Sequence, residues 1–352
     1  MEVSINGRAI GEKHPPYVIA ELSANHNGSL DTALHIVRQA KLCGADAAKL
    51  QTYTADTITL NSDRPEFTIR GGLWDGYKLH DLYQQAHTPW AWHKTLFDEA
   101  KRLDLTIFSS PFDHTAVDLL EDLNAPAYKI ASFEAIDLPL IRYVASTGKP
   151  MIISTGMADA EEIAEAVDAA RAGGCKQLVL LHCVSGYPAP AKDYNLRTLA
   201  DMRERFGVPI GLSDHTLDNT TAIAAIALGA CVLEKHFTLD RQGGGPDDSF
   251  SLQPEDLEQL CKGARTAWES LGQVDYGRKS SEMGNAQFRR SLYFVKNLKA
   301  GHTITADDIR SVRPGFGLAP KHLDAVLGKT LRHDVEFATP VTPQSIEGWP
   351  QV

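Results

Sequence analysis

The chain has few cysteines, no surplus of positive charge and no long apolar run, and each shortage removes a class of protein. Its five cysteines are Cys43, Cys175, Cys183, Cys231 and Cys261. Their number is odd, their positions are scattered and no pair has C-x-x-C spacing. This excludes a disulfide framework and a zinc ribbon, and leaves buried thiols of a reducing cytosol. Lys and Arg number 35 against 45 Asp and Glu, a net charge of −10. That balance argues against a nucleic-acid partner and against polybasic contact with a membrane. It is compatible with an anionic small substrate, because a few lysines can dominate one pocket. No apolar run is long enough to span a bilayer. Met1 to His14 carries charges and no long apolar core, so no secretory signal is read and the expected compartment is the cytoplasm.

What is present is a regular alternation of strand-like and helix-like segments. The 352 residues suffice for one large barrel and a small second domain. Short runs rich in Val, Ile and Leu, apolar on both faces, predict parallel strands. They are Tyr17–Glu21, Ala45–Gln51, Leu105–Ser109, Ala127–Ile130, Met151–Ser154, Leu178–Cys183, Ile210–Ser213 and Cys231–His236. Amphipathic stretches between them predict helices, among them Leu30–Cys43, with Ser29 as N-cap and Gly44 as terminator, and Pro254–Leu271. Eight such units predict an α/β fold, a (β/α)8 TIM barrel over residues 1–272. The polar stretch 273–287 reads as a linker. From 288 to 352 the period changes, and Ser291–Val295, Ile309–Val312 and Val335–Ala338 read as short strands between turns. This small domain of roughly 65 residues is near the lower limit of independent stability and is expected to pack on the barrel or a second subunit. Thr52–Pro89 is long for a loop after a second strand and carries Gly71-Gly72-Leu73-Trp74-Asp75-Gly76. On the C-terminal face of a barrel such a loop reads as a lid.

Every predicted strand ends in polar residues that a core would not absorb. The first gives Glu21, then Ser23 and Asn25; the second Lys49 and Gln51; the third Ser109 and Ser110; the fourth Lys129, Ser132 and Glu134. The fifth gives Ser154, the sixth His182, Ser185 and Tyr187, the seventh Ser213 and His215, the eighth Glu234, Lys235 and His236. A lone strand-end serine usually caps the next helix, and one buried histidine or lysine is commonly structural. Eight strands ending this way point to one site at the C-terminal face. Two lysines with several hydroxyls suit a phosphate and a carboxylate. Two histidines, His215 and His236, suit a divalent ion with open positions. Glu21 or Glu134 can move a proton. A metal amidohydrolase would want H-x-H on the first strand, where Glu21-Leu22-Ser23 stands. A Schiff-base lysine could be Lys129, but the histidine pair would then be superfluous.

Seven segments carry a resemblance: 20–28 (AELSANHNG), 49–54 (KLQTYT), 108–113 (FSSPFD), 128–134 (YKIASFE), 154–157 (STGM), 211–216 (GLSDHT) and 234–240 (EKHFTLD). Together they resemble the sialic acid synthase family, and the C-terminal stretch resembles that family's antifreeze-like (SAF) domain. The Glu21-Leu22-Ser23 opening, Gly71-Gly72-Leu73-Trp74, Ala86-His87-Thr88-Pro89-Trp90 and 313–318 (RPGFGL) are similar to the pseudaminate branch. The N-acetylneuraminate and legionaminate branches typically open with Glu-Ile-Gly-X-Asn-His and are the alternative. The resemblance implies condensation of phosphoenolpyruvate with an amino-sugar aldose, 2,4-diacetamido-2,4,6-trideoxy-L-altrose in the pseudaminate branch, giving a nonulosonic acid and phosphate. It implies that His215 and His236 hold Mn2+ or Mg2+, with Co2+ a further option. By the same likeness Lys49, Lys129, Ser132, Ser154 and Ser213 hold phosphoenolpyruvate, with Ser109 or Ser110 near it. Gln51, Glu134, Tyr187 and Asp247 face the sugar. The family often has Asn shortly before its Tyr-Pro pair, whereas Ser185-Gly186 precedes Tyr187-Pro188 here. A domain-swapped homodimer is implied, with Phe288 and Arg313 of one copy reaching the site of the other. A sugar-binding protein without catalysis is the competing class; it would bind ligand without releasing phosphate.

Overall fold

The computed structural model describes residues 2–350. The chain forms two compact units, Met1–Gly272 and Gln273–Val352. The first unit opens with an antiparallel hairpin of β1 (Val3–Ile5) and β2 (Arg8–Ile10). Asn6 and Gly7 between them both have positive φ, 49° and 80°, as a two-residue turn matched to strand twist requires. Three-residue strands are too short to show alternation, so the Asn-Gly pair is the hairpin's one sequence signal.

Eight parallel strands then close a barrel: β3 (Tyr17–Glu21), β4 (Ala47–Thr52), β5 (Thr106–Pro111), β6 (Tyr128–Ile130), β7 (Met151–Ser154), β8 (Leu178–Cys183), β9 (Ile210–Ser213) and β10 (Val232–His236), with β10 pairing β3. Four of them begin and end where the sequence pattern predicts, and the others shift by one or two residues at their ends. The outer layer includes α1 (Leu30–Leu42) and α4 (Trp90–Arg102), and the segment between β4 and α4 carries the short α2 (Ala55–Ile58) and α3 (Leu79–Ala86). The outer layer continues through α5 (His114–Asp122), α6 (Leu138–Ser146), α7 (Ala160–Ala172), α8 (Thr198–Phe206), α9 (Thr220–Ala227) and α10 (Pro254–Leu271). Ser29 caps α1 by accepting from the Thr32 N–H at 3.2 Å, which satisfies one of the donors a helix start leaves free.

Strand residues alternate between two cores. Tyr17, Ile19, Ala47, Phe108, Ile152 and Val232 point into the barrel and pack with Val3, Ile5 and Ile10, so the hairpin plugs the N-terminal end. Their neighbours Val18, Ala20, Ala48 and Leu50 point outward into the helix layer. A fully buried aliphatic or aromatic side chain contributes roughly 1.5–3 kcal/mol. The period of two carries the inward register on to Glu21, Lys49, Gln51, Ser110, Lys129, Ser154, Cys183, Ser213, Glu234 and His236. Gly211 lets β9 approach β10: a Cβ there would lie 2.4 Å from the Val232 carbonyl oxygen and 2.6 Å from Leu181 Cδ2.

The second unit pairs β11 (Ser291–Phe294) with β12 (Ile309–Val312) and adds the short α11 (Leu323–Val326). Leu292, Phe294, Ile304, Val326, Leu331 and Val341 fill its core. The stretch 273–287 belongs to this unit, and Ser280–Phe288 runs in 3-10 turns. The expected strand Val335–Ala338 does not form. Val335 makes a single bridge to Leu298, and the chain then turns through Ala338 at φ 66°, a left-handed conformation that ends a ladder. Among the described residues no helix is long and apolar enough to cross a membrane.

Gly211→Ala is expected to destabilise the barrel by about 1–3 kcal/mol, because the added methyl meets the Val232 backbone as well as the buried Leu181 side chain. Urea denaturation checks this; an unchanged midpoint would mean that β9 and β10 can part without cost.

Candidate active site at the C-terminal face of the barrel

The inward polar residues meet above the apolar plug. Lys49 Nζ lies 2.5 Å from Glu21 Oε2 and 3.9 Å from Glu234 Oε1. Lys129 Nζ donates to Glu234 Oε1 at 2.9 Å, and Lys49 Nζ to Ser110 Oγ at 3.2 Å. All four charged groups are at most 5% exposed, so two ammonium and two carboxylate groups neutralise one another inside the barrel. Burial would raise the Glu234 carboxyl, but Lys129 and Lys49 outweigh it and hold it low. Burial works against the Lys49 ammonium, yet Glu21 and Glu234 raise it. Lys129 is lowered, by burial first and then by Lys49. The network runs outward through Gln51, whose Nε2 donates to Glu21 Oε1 at 3.0 Å and to Ser23 Oγ at 3.1 Å. Ser23 Oγ in turn donates to Asp247.

The histidine pair sits beside this cluster. The His215 and His236 rings have centroids 5.4 Å apart, inclined at 72°. His215 Nδ1 lies 2.8 Å from the Val184 carbonyl. It donates there, which leaves Nε2 as the lone-pair nitrogen. His215 N–H donates to Tyr194 Oη at 2.7 Å, fixing the backbone that carries the ring. His236 Nδ1 is buried without a protein partner. Burial, then His215 and the lysines, push its pKa well down, so the neutral, ligand-competent imidazole is favoured. Outside the barrel Lys235 Nζ reaches Asp214 Oδ2 at 2.9 Å and the carbonyls of Thr216 and Asp218 at 2.7 Å each. Lys235 is thus a strut for the loop carrying His215.

Above the polar floor opens a cavity of about 480 Å³. Gln51, Ser132, Glu134, Tyr187, His236 and Asp247 line its polar side. The segment after β4 supplies Ile58, Ile69, Trp74, Leu82 and Ala86 on another side. Trp74 Nε1 donates to the Pro246 carbonyl at 3.1 Å, and its ring lies 5.8 Å from that of Tyr187. The segment read as a lid therefore forms a wall of the cavity. Ser154 Oγ, Ser185 Oγ and Glu134 Oε2 are buried without hydrogen-bond partners, which is costly unless a ligand serves them. Burial raises the Glu134 carboxyl to about 7.

Most sequence-named residues thus converge, but Ser109 faces the other way. Its Oγ meets Thr52 Oγ1 at 2.6 Å, and Thr52 meets His93 Nε2 at 2.8 Å. Ser110, one step along, faces inward. Phe288 and Arg313 belong to the second unit; Phe288 is exposed, and Arg313 lines a groove with Phe316 and Phe337. One inward residue escapes a strand-end reading by polarity alone. Cys183 reads as an ordinary buried thiol, yet it faces the site. Burial would raise it, but His215, Ser132 and Lys129 lower it. Glu234 joins both lysines. Alternation from Leu181 was the available signal for Cys183.

The chain has relatives along more than nine-tenths of its residues. It is 43% identical over 321 residues to a pseudaminic acid synthase of Campylobacter jejuni, covering 91% of this chain and 94% of that protein. It is 41% identical over 334 residues to the pseudaminic acid synthase of Helicobacter pylori, covering 95% and 98%. The crystal structure of the N-acetylneuraminic acid (sialic acid) synthetase of Leptospira borgpetersenii, in complex with citrate, superposes with a TM-score of 0.72. It is 28% identical and covers 82% of this chain and 96% of that one. The NeuB family model matches residues 36–276 and the SAF domain model residues 289–347. A closed barrel with these residues at its C-terminal face and a SAF domain after it is the build of the NeuB family of sialic acid synthases, and the chain belongs to it.

Proposed function

We propose that this chain is a pseudaminic acid synthase, condensing phosphoenolpyruvate with 2,4-diacetamido-2,4,6-trideoxy-L-altrose and water to give pseudaminate and phosphate. The carrying observation is that identity of 41–43% to proteins of that activity runs through more than nine-tenths of both chains, against 28% for the sialic acid synthetase. The site supports the chemistry. C3 of the enol attacks the open-chain aldehyde carbon, water adds at C2, and C–O cleavage releases phosphate. Lys49 and Lys129 supply positive charge for the phosphate and carboxylate, and Ser132, Ser154 and Ser213 supply hydroxyl donors. Gln51, Tyr187 and Asp247 face the sugar. Glu134, proton-bearing up to about pH 7, hands a proton to the aldehyde oxygen as it becomes an alcohol; Glu21 is tied to Lys49 and Gln51.

His215 and His236 would hold the divalent ion, Mn2+ or Mg2+. Their donor set fits: one imidazole is oriented by a carbonyl and the other has an orphaned nitrogen. Among the described residues no third His, Cys, Asp or Glu completes the site, so water and substrate would have to supply the remaining ligands. When bound, such an ion supplies Lewis acidity toward the aldehyde oxygen. We further infer a cytoplasmic homodimer in which Phe288 and Arg313 serve the other copy's site; the exposure of Phe288 supports this. Light scattering should return twice the chain mass, and a monomer would remove the dimer.

Phosphate release with the altrose acceptor is expected to vanish on chelation and return with Mn2+. His236→Ala should slow it on the order of 100-fold or more with an unchanged melting temperature; near-normal turnover would sink the metal assignment. With N-acetylmannosamine as sole productive acceptor, the chain would move to the neuraminate branch.

The Glu134 carboxyl titrates higher folded, near 7, than its ordinary value of 4.5. The folded state therefore binds the extra proton between these values, and stability falls as pH rises through that window. As an acid, Glu134 should make kcat/KM decline above about pH 7. Glu134→Gln should abolish that limb, lower kcat by about 100-fold or more, and flatten the stability change. Persistence of the limb in the variant would clear Glu134 of the role.

A further inference from the structure

The cavity lining joins polar strand-end groups to apolar side chains; Ala24, Phe112, Ala131, Phe133 and Pro246 supply part of the apolar surface, and one segment supplies the rest. Ile58, Ile69, Trp74, Leu82 and Ala86 all lie between β4 and α4. Leu82 is buried within α3, and Ile58 and Ile69 are half-buried at the cavity surface. The only hydrogen-bond donor of the Trp74 side chain is already used by the Pro246 carbonyl. Tyr53 and Tyr83 hydroxyls are the polar interruptions on this side. Such a wall is unusual in a site for an aldose, whose carbons normally each carry a hydroxyl that needs a partner.

We infer that this wall is the specificity determinant for the far end of the acceptor, selecting a methyl group over a hydroxymethyl group at the carbon most distant from the aldehyde. The inference rests on the functional reading above. There the aldehyde carbon must meet phosphoenolpyruvate at the polar floor, near His236 and Lys129. The opposite end of a six-carbon chain then points away from the floor, toward the segment's side chains. A methyl gains contact with Ile58 and Ile69, whereas a hydroxyl loses its water and finds no partner among them. Trp74, held by Pro246 and lying against Tyr187, keeps the wall in place before substrate arrives, so little ordering is spent on binding.

The test compares phosphate release from phosphoenolpyruvate with two acceptors, 2,4-diacetamido-2,4,6-trideoxy-L-altrose and its 6-hydroxy counterpart. The native enzyme is expected to favour the deoxy sugar in kcat/KM by about 10- to 100-fold, the range an apolar pocket achieves against an added hydroxyl. Ile58→Thr and Ile69→Thr, each offering a partner, should narrow the ratio to a few-fold, mainly through KM for the hydroxy sugar, with KM for phosphoenolpyruvate unchanged. That unchanged KM also shows that the variants fold. Leu60→Thr, in the same segment but 66% exposed and outside the lining, should keep the native ratio. Equal use of both sugars by the native enzyme overturns the inference and leaves the functional reading standing. A native preference that both threonine variants retain also overturns it. Release with neither sugar overturns the functional reading and the inference with it.

Discussion

The quartet of Glu21, Lys49, Glu234 and Lys129 is the constraint on which the site depends. Four ionised groups inside a barrel are tolerable only because each lies against an opposite charge, Lys49 to Glu21 at 2.5 Å and Lys129 to Glu234 at 2.9 Å. Removing one partner of a buried pair typically costs about 3–5 kcal/mol, since the other charge is then stranded. The barrel geometry makes the pairing possible. β3, β4, β6 and β10 each deliver one member, and β10 closes the ring against β3 with Glu234 opposite Ile19 and His236 opposite Glu21. The quartet is neutral as a whole, but its ammonium groups are fixed in space and need no rearrangement to meet an anion, which is the preorganisation that charge-stabilising sites use.

From that floor the polar network extends in one direction only. Glu21, Gln51, Ser23 and Asp247 form a continuous chain of hydrogen bonds to the cavity rim, while the side built by the segment after β4 is apolar. A ligand filling this space meets charge at one end, hydrogen-bonding groups along one flank and hydrocarbon along the other. The chemistry and the recognition therefore have different structural owners. In the proposed function the strand ends carry the reacting groups, and in the inference drawn from the cavity the loop insertion carries the discriminating surface, which can change without disturbing the barrel.

Support lies one layer further out. Lys235 points away from the site, yet its ammonium gathers Asp214, Thr216 and Asp218 and so sets the loop on which His215 stands. Tyr194 holds the same loop through the His215 amide. The Ser109, Thr52 and His93 contacts tie β5, β4 and α4 together on the outer face. These are polar side chains at strand ends, indistinguishable by type from those of the site, and only their face assigns them.

The amino-acid sequence by itself determined the barrel and the level at which polar residues collect. Buried parallel strands must be apolar on both faces, helices between them must show their own period, and eight repeats leave few other ways to close a sheet. It also carried the family likeness, through motifs at seven of the eight strand ends. It left the hairpin of Val3–Ile10 unread, because strands so short show no period, and it placed a strand at Val335–Ala338 where a left-handed turn stands instead. Tertiary structure alone decided which strand-end residues share the cavity. Ser109 and Ser110 are adjacent and chemically identical, and a one-residue step in a strand sends one to the helix layer and the other to the site. Cys183 and Glu234 enter the site for the same reason, and the pairing of each carboxylate with its lysine follows from strands distant in sequence becoming neighbours only when the barrel closes.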